Sequence, residues 1–227
     1  MRTVLEVEIW SDVVCPWCYI GKRRFERAVA EVSDDIEVRT RYRPYQLDPL
    51  APIEAPTAVS EAYAKKFGGS ERAAEIIEHI TSVAAGEGLE FRMDRALRAN
   101  TLLAHRLLWL AEATGHQYAL KERLLRAYFC EGLDIGNVDV LAACAHDVGI
   151  AQHPVREFLR SDDGVAEVQG LLRLAAEAGI TAVPTFVFDG RWVVPGAQDP
   201  ETFVNVVRRL LANSIQPSPL TTENADA

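Results

Sequence analysis

The run SDVVCPWCYIGKRRFERA, residues 11–28, decides how the rest of this chain is read. It holds two cysteines three positions apart, Cys15 and Cys18, with Pro16 and Trp17 between them. Upstream, Val4 to Trp10 alternates apolar and acidic residues, interrupted by one leucine, and predicts a strand. Proline is favoured in the first turn of a helix, where its missing N–H would have no partner anyway, so Cys15-Pro16 predicts a helix start. Cys18, Phe25, Val29 and Val32 recur at helical spacing on one face. Ser33-Asp34-Asp35 ends that helix, and Ile36 to Tyr42 predicts a second strand. The unit is strand, helix, strand, with a cysteine pair at the helix start.

That placement has chemical consequences. Unpaired N–H groups and the helix dipole favour an anion at the helix N-terminus, which lowers a thiol pKa there. A thiolate attacks a disulfide to give a mixed disulfide, and a second thiol within bridging distance resolves it. Position assigns Cys15 as the exposed nucleophile and Cys18 as the more buried resolver. Half of a zinc site is the competing reading. Zinc takes about four ligands; Cys130 and Cys144 lie 14 residues apart, with no histidine at ligand spacing, so no metal is expected. Trp17 is open to two roles, substrate-facing surface or packing on the rest of the molecule. It adds no positive charge beside Cys15, so the thiol pKa should be depressed less, and the protein should be less oxidising, than with a histidine there.

Composition narrows the class. The chain has 227 residues, 48% hydrophobic and 25% charged, which excludes wholesale disorder, a collagen-like repeat and a small disulfide-stapled scaffold. Its 24 basic residues against 33 acidic ones leave a net charge of −9, so it repels polyanions, and nucleic acid is not an expected partner. No stretch is long and apolar enough to span a bilayer, and MRTVLEVEIWSD lacks the apolar core of a signal peptide. A cytoplasmic protein is expected, where a close cysteine pair is catalytic or metal-binding more often than structural.

Prolines 44, 49, 52 and 56 mark a long connection after the second strand. A helical pattern then runs from Thr57 to about Phe158. Its best helices are Val59–Phe67, Glu71–Gly86, Asn100–Thr114, Gln117–Cys130 and Val138–Gly149. Asp163–Ala178 is another amphipathic helix. Thr185–Phe188 and Trp192–Val194 flank an Asp189-Gly190 turn, a strong hairpin signal. Pro200–Leu211 is the last helix.

Several runs together resemble the DsbA-like thioredoxin superfamily, in particular its cytoplasmic FrnE-type branch. They are SDVVCPWCYIGKRRFERA, RYRPYQLDP, NTLLAHRLLWLA, LLRAYFCEGLDI and GITAVPTFVFDGRWVVPGAQDPETF, in that order, and the likeness covers almost all of residues 4 to 212. It implies an α/β, thioredoxin-like fold with a large all-helical insertion. Residues 1–50 and 165–213 would form the discontinuous thioredoxin-like domain, 51–164 the insertion, and 214–227 a disordered tail. It also implies a dithiol–disulfide oxidoreductase or isomerase with Cys15 and Cys18 as a redox-active disulfide and no bound cofactor. Pro184 would be a cis proline opposite the cysteines, and the Val183-Pro184 backbone would hold the substrate, with Trp17 the further substrate-binding candidate named above. Thiol or disulfide proteins and small thiols are the implied partners, and a homodimer is compatible with this architecture.

The same branch is similar to kappa-class glutathione transferases and 2-hydroxychromene-2-carboxylate isomerases. These share a related stretch, here Asn100-Thr101 with His105-Arg106, and typically carry serine where this chain has Cys15. Two cysteines favour redox exchange, with glutathione open as a co-substrate. A glutathione-dependent isomerase or transferase is the second reading, and a non-catalytic thiol-dependent binding or biosynthetic accessory protein the third. On resemblance, Asn100 and Arg106 shape the active-site mouth. Among weaker features, Lys22-Arg23-Arg24 reads as a solvated helix face able to attract an acidic partner. Asp12 reads as a loop-shaping residue and Cys130 and Cys144 as buried packing. Glu6 or Glu8 is a candidate carboxylate for deprotonating Cys18, with exposure on the strand as the commoner outcome.

Overall fold

The computed structural model describes residues 3–34 and 36–215. Strand β1 (Thr3–Ser11) leads into helix α1 (Pro16–Val32), which crosses over to strand β2 (Ile36–Pro44). β1 and β2 run parallel and pair along their whole length, from Thr3 opposite Ile36 to Ser11 opposite Pro44. Leu5, Val7 and Ile9 of β1 point at α1, so their burial against Phe25, Ala28 and Val32 fixes the register. Glu6 and Glu8 take the alternate positions; Glu6 is exposed, and Glu8 pairs with Arg43 at 2.5 Å. Neither carboxylate lies under the cysteine pair.

The sheet is completed from the far end of the chain. Strands β5 (Thr185–Phe188) and β6 (Trp192–Pro195) form a hairpin, and β5 adds antiparallel to β1 to give the order β2-β1-β5-β6. Asp189 and Gly190 both have positive φ (47° and 66°), and the Arg191 N–H donates to the Phe188 carbonyl at 3.0 Å. Two successive positive φ values make a primed turn, and with Phe188 opposite Trp192 the hairpin loop spans the three residues 189–191. Helix α9 (Pro200–Ile215) packs beside α1, with Phe203, Val204 and Val207 buried over Phe186 and Phe188. It runs four residues beyond the expected end at Leu211, so residues 214 and 215, expected in the tail, are helical. The rest of the expected disordered tail lies outside the described residues. Helix α8 (Val165–Glu177) covers the opposite face, where Ala175 meets Trp10 and Ile180.

Between β2 and α8 lies the helical segment: α2 (Val59–Phe67), α3 (Ser70–Gly86), α4 (Leu102–Ala113), α5 (Gln117–Phe129), α6 (Val138–Asp147) and α7 (Gln152–Arg160). A two-residue bridge joins β3 (Thr57–Ala58) to β4 (Leu97–Arg98). The leucine density of α4 is explained by burial: Leu107 and Leu108 sit in a core with Leu120, Leu124 and Phe129 of α5. Helix α7, which the sequence pattern did not separate from its neighbours, buries Val155 and Leu159 in that core.

Helix α1 belongs to both cores. Phe25, Ala28 and Val32 face the sheet, whereas Tyr19 and Ile20 are buried among the insertion helices. Tyr19 stacks on Phe91 at 5.8 Å, and Phe91 on Phe129 at 4.5 Å. The expected solvated face Lys22-Arg23-Arg24 is instead the joint between the two parts. Lys22 is only 3% exposed; its Nζ pairs with Glu26 and, at 2.6 Å, with Glu122 of α5. Arg23 reaches the same two carboxylates, and Arg24 pairs with Glu87 at 2.6 Å. Sequence spacing could not show these partners because Glu87 and Glu122 lie 63 and 99 or more residues away.

Candidate active site

The site forms where the β1–α1 junction meets the loop before β5. Cys15 is the N-cap residue of α1, in extended conformation, with Pro16 in the first turn. The Cys18 N–H donates to the Cys15 carbonyl at 3.0 Å, closing the first turn and putting the two side chains on one end of the helix. Both cysteines are free thiols. The Val183–Pro184 peptide is cis. Cys15 Sγ lies 3.5 Å from the Val183 carbonyl oxygen and donates to it. The Pro184 carbonyl accepts from the Gly196 N–H at 2.7 Å, which ties this loop to the end of β6.

Gly21, one turn after Cys18, permits the close approach. A Cβ there would lie 3.0 Å from Pro184 Cγ and 3.3 Å from Ala197 Cα. The chain therefore uses a residue without a side chain where helix and proline loop touch. Trp17 packs partly buried against the insertion core, its ring 6.3 Å from that of His79 of α3. Of the two roles open to it, packing is the one observed.

Both sulfurs are enclosed, each cysteine being 3% exposed, so Cys15 is not the open member of the pair that position alone suggested. Burial pushes the Cys15 thiol well up, and its hydrogen bond and electrostatic contact with Cys18 push the same way. The helix N-terminus does not offset this. Burial would also raise Cys18, yet its thiol is held below the ordinary value. Hydrogen bonding from Cys15, the ammonium of Lys121, and bonds from Ser11 and the Asp12 backbone all favour its thiolate. The two thiols are thus pushed in opposite directions, Cys15 up and Cys18 down.

Asp12 shapes the approach, as expected, but with more partners than the sequence offered. Its side chain is fully buried; Oδ1 accepts from the Val13 N–H and Oδ2 from the Leu47 N–H, each at 2.8 Å. His105 Nε2 lies 2.9 Å from the Tyr45 carbonyl and 3.1 Å from Asp12 Oδ1. A carbonyl only accepts, so Nε2 carries the hydrogen and is shared between the two oxygens. Asn100 holds the same loop, donating to the carbonyls of Pro49 and Ala51 and accepting from the Leu102 N–H at 3.0 Å. Arg106 is not at the mouth. It is buried and donates to the carbonyls of Phe158, Leu159, Ser161 and Asp163, clamping the turn between α7 and α8. A helix places residues 105 and 106 about 100° apart, so these neighbours serve different surfaces.

His105 was marked only as part of the stretch shared with related families, without a role, and Lys121 had no sequence signal, lying in a helix more than 100 residues from Cys18. Cys144 is fully buried in the insertion core and Cys130 packs against it. Among the described residues no cluster of three or more His, Cys, Asp or Glu side chains is set to hold a metal ion, and no helix is long and apolar enough to cross a membrane.

Beside the cysteines, a cavity of about 450 Å³ opens between the loop at Leu47–Ala51 and helix α2. Val14, Tyr63 and Tyr128 form part of its wall, and Lys65, Lys66 and Arg98 bring positive charge. Asp48 pairs with Arg98 at 2.7 Å. Tyr63 is pushed up to about 12 by burial and then by the charge of Cys15, which places this wall next to the nucleophile end of α1.

A βαβ unit, an antiparallel hairpin and a final helix, with a cysteine pair facing a cis-proline loop, define a thioredoxin-fold protein. The chain belongs to the DSBA-like thioredoxin domain family, whose model matches residues 6–208. It is similar to a crystal structure of a probable DsbA oxidoreductase from Streptomyces coelicolor. The two are 33% identical with a TM-score of 0.87, over 98% of this chain and 95% of that one. The uncharacterized protein YwbO of Bacillus subtilis (strain 168) is 29% identical over 216 residues, 89% of this chain and 96% of that protein. The fold is shared more distantly by the cytosolic disulfide reductase DsbM from Pseudomonas aeruginosa. That likeness has a TM-score of 0.62 at 20% identity, over 92% of this chain and 99% of that one.

Proposed function

We propose that this chain is a dithiol–disulfide oxidoreductase that works through a mixed disulfide on Cys15, with Cys18 as the resolving thiol. The carrying observation is the contact of Cys15 Sγ with the Val183 carbonyl, 3.5 Å away. That backbone edge lies where a substrate chain attached to Cys15 would run, so it can hold the substrate's own backbone during exchange.

The steps balance as follows. Cys15 passes its proton to the Cys18 thiolate, attacks one sulfur of a substrate disulfide, and releases the other as a thiolate. The Cys18 thiol then gives up its proton, which the thiolate already released takes up through solvent, and attacks Cys15 Sγ. This breaks the mixed disulfide, releases the second substrate thiolate, and leaves a Cys15–Cys18 disulfide. Run in reverse, the same chemistry oxidises a substrate. A reducing, cytosolic setting belongs to this proposal, in keeping with the sequence reading and with the cytosolic DsbM that shares the fold.

The test is capture. Cys18→Ala should accumulate partners joined through Cys15, released by dithiothreitol and identified by mass spectrometry. Cys15→Ser should capture nothing and lose disulfide exchange. Full exchange activity in Cys15→Ser would sink the proposal and leave a binding or accessory role.

The cavity beside Cys15 favours a second reading of the substrate. Its Lys65, Lys66 and Arg98 suit a small thiol carrying carboxylates, such as glutathione. On that reading glutathione forms the mixed disulfide, or is held by Cys15 against a small electrophile. Capture of glutathione alone by Cys18→Ala, with turnover of an electrophile, would select it over exchange with proteins.

A further inference from the structure

The cavity between the Leu47–Ala51 loop and α2 offers more than positive charge. Its volume of about 450 Å³ falls in the range of about 300–1,000 Å³ that holds small organic ligands. It begins one residue from the nucleophile: Val14 lines it, and neighbouring Cα atoms of a chain are about 3.8 Å apart. Its Leu47 wall is tied to the same loop, since the Leu47 N–H donates to Asp12 Oδ2 at 2.8 Å. Cys15 itself is only 3% exposed, so a disulfide that reaches it must bring a group that fits the space alongside.

The lining divides by chemistry. Ala51, Val59 and Ala99 are buried apolar residues, and Ala62 and Tyr63 of α2 continue that surface. Phe67 packs edge-on against Tyr63 with the ring centres 5.3 Å apart. Tyr128 of α5 is 3% exposed, and its hydroxyl forms no hydrogen bond among the described residues. Burial holds that hydroxyl well above the ordinary tyrosine value, so it keeps its proton and is a donor without an acceptor at the cavity wall. The cations at the mouth are unequal. Arg98 is engaged by Asp48 at 2.7 Å. Lys65 and Lys66 are exposed and form no ion pair among the described residues, although Glu61 lies one turn before Lys65 on the same helix. Lys66 Nζ lies over the Phe67 ring, 5.5 Å from its centre. In a chain of net charge −9, two free ammoniums beside the reacting centre complement an anion.

We propose that this cavity is a subsite for one half of a small aryl disulfide that carries a carboxylate. The aryl body lies on the apolar surface between Ala51, Val59 and Tyr63, where a ring can pack on a ring. The carboxylate meets Lys65 and Lys66, and the Tyr128 hydroxyl donates to a polar atom of the seated half. This subsite rests on the dithiol reading above and narrows its substrate. It differs from a glutathione site, because glutathione has carboxylates but no apolar body. In the step, Cys15 gives its proton to Cys18, and its sulfur bonds to the sulfur of the seated half. The substrate S–S bond breaks, and its electron pair leaves on the other half as a thiolate. The substrate is reduced and Cys15 is oxidised, with no further co-reactant.

The test compares three disulfides on the full chain. Ellman's reagent is an aryl disulfide with carboxylates, 4,4′-dithiodipyridine is an uncharged aryl disulfide, and oxidised glutathione has carboxylates without an apolar body. Each second-order rate constant is divided by that of free mercaptoethanol with the same disulfide, which removes intrinsic reactivity. A Cys15→Ser control subtracts other thiols. After that division Ellman's reagent should lead each of the others by about tenfold, the worth of one charge-assisted contact or one buried apolar group. Lys65→Ala with Lys66→Ala should remove the lead over dithiodipyridine by raising the half-saturating concentration of Ellman's reagent, and Lys65→Arg with Lys66→Arg should keep it. Ala62→Leu, which fills the apolar surface, should remove the lead over oxidised glutathione. If either lead is missing in the wild type, or persists in the folded variant made to remove it, the subsite is overturned and the dithiol reading stands. A wild type whose Cys15 reacts with none of the three overturns the dithiol reading, and the subsite with it.

Discussion

Among single residues, Gly21 and Asp12 carry most of the site's geometry. Gly21→Ala sets two effects against each other. Alanine gains about 1 kcal/mol of helix propensity, and overpacking costs about 1–3 kcal/mol. The clash should win. Pro184 and the Gly196-Ala197 segment are tied by the 2.7 Å bond from Gly196 to Pro184, so they cannot readily spread around a methyl group that meets both. Urea denaturation should show a net loss of about 1 kcal/mol, with slower disulfide exchange. Asp12→Ala strands the buried N–H of Val13 and the N–H of Leu47, and leaves His105 Nε2–H to the Tyr45 carbonyl alone. It should cost about 2–4 kcal/mol, the summed penalty of unmade bonds. Lys121 acts in the opposite direction. Its pKa falls from 10.5 in the unfolded chain to about 8 in the folded one, so the folded state binds the proton less tightly. Its cost is complete below about pH 8 and vanishes as pH rises through 10.5. Lys121→Met should therefore be more stable than wild type at pH 7, by a margin that shrinks between pH 8 and 10.5.

Helix α1 is the element that integrates the molecule. Its first turn presents the cysteines, one side closes the sheet core, and the other docks on α5 through Tyr19, Ile20 and Lys22. Glu26 and Glu122 are largely buried, which alone would raise their carboxyls. The Lys22 ammonium and hydrogen bonds from Lys22, Arg23 and tyrosine hydroxyls hold both below the ordinary 4.5. Carboxylates depressed in the folded state stabilise it above their unfolded pKa and lose that contribution as pH falls through the folded value. The α1–α5 joint should thus weaken below about pH 4.5, seen as falling urea midpoints. Glu122→Ala should cost about 1–3 kcal/mol, because Lys22 is left buried with Glu26 as its remaining partner. The sequence displayed α1 as a helix from its periodicity and its proline. It could not display two buried faces: spacing finds one apolar stripe, and the second face is made of Tyr19, Ile20 and a lysine whose burial depends on distant glutamates.

At the scale of the whole molecule, two cores share that helix. We propose that residues 1–50 with 165–213, and residues 51–164, are two structural units that unfold together. Separating them would expose Val13, Tyr19 and Ile20, each buried to within 2% of completely. At about 1.5–3 kcal/mol for each large apolar side chain, that loss competes with the stability of a typical domain. Far-UV circular dichroism and tryptophan fluorescence should therefore report one coincident transition in urea. Two separated transitions would show that the joint is weaker than its burial implies. The strands, most helices and the hairpin were legible because each rests on local period, proline or glycine. The dithiol and Pro184 were legible as motifs. The enclosure of Cys15, the distant partners of Asp12 and the positions of His105 and Arg106 were not, and for Trp17 packing was one of two readings left open.

The cysteine pair at a helix start, the βαβ order around it, the hairpin turn and the helical interruption were all determined by sequence alone. Each follows from interactions within a few residues or from the period of apolar positions. Which way each thiol is pushed, which cations are free to act and which wall flanks the nucleophile were decided only by tertiary structure. Those properties depend on burial and on partners up to 168 residues apart, such as Cys15 and Val183. Electrostatics in a low-dielectric interior is set by what lies within a few ångströms in space, and the spacing of residues along the chain carries no record of that.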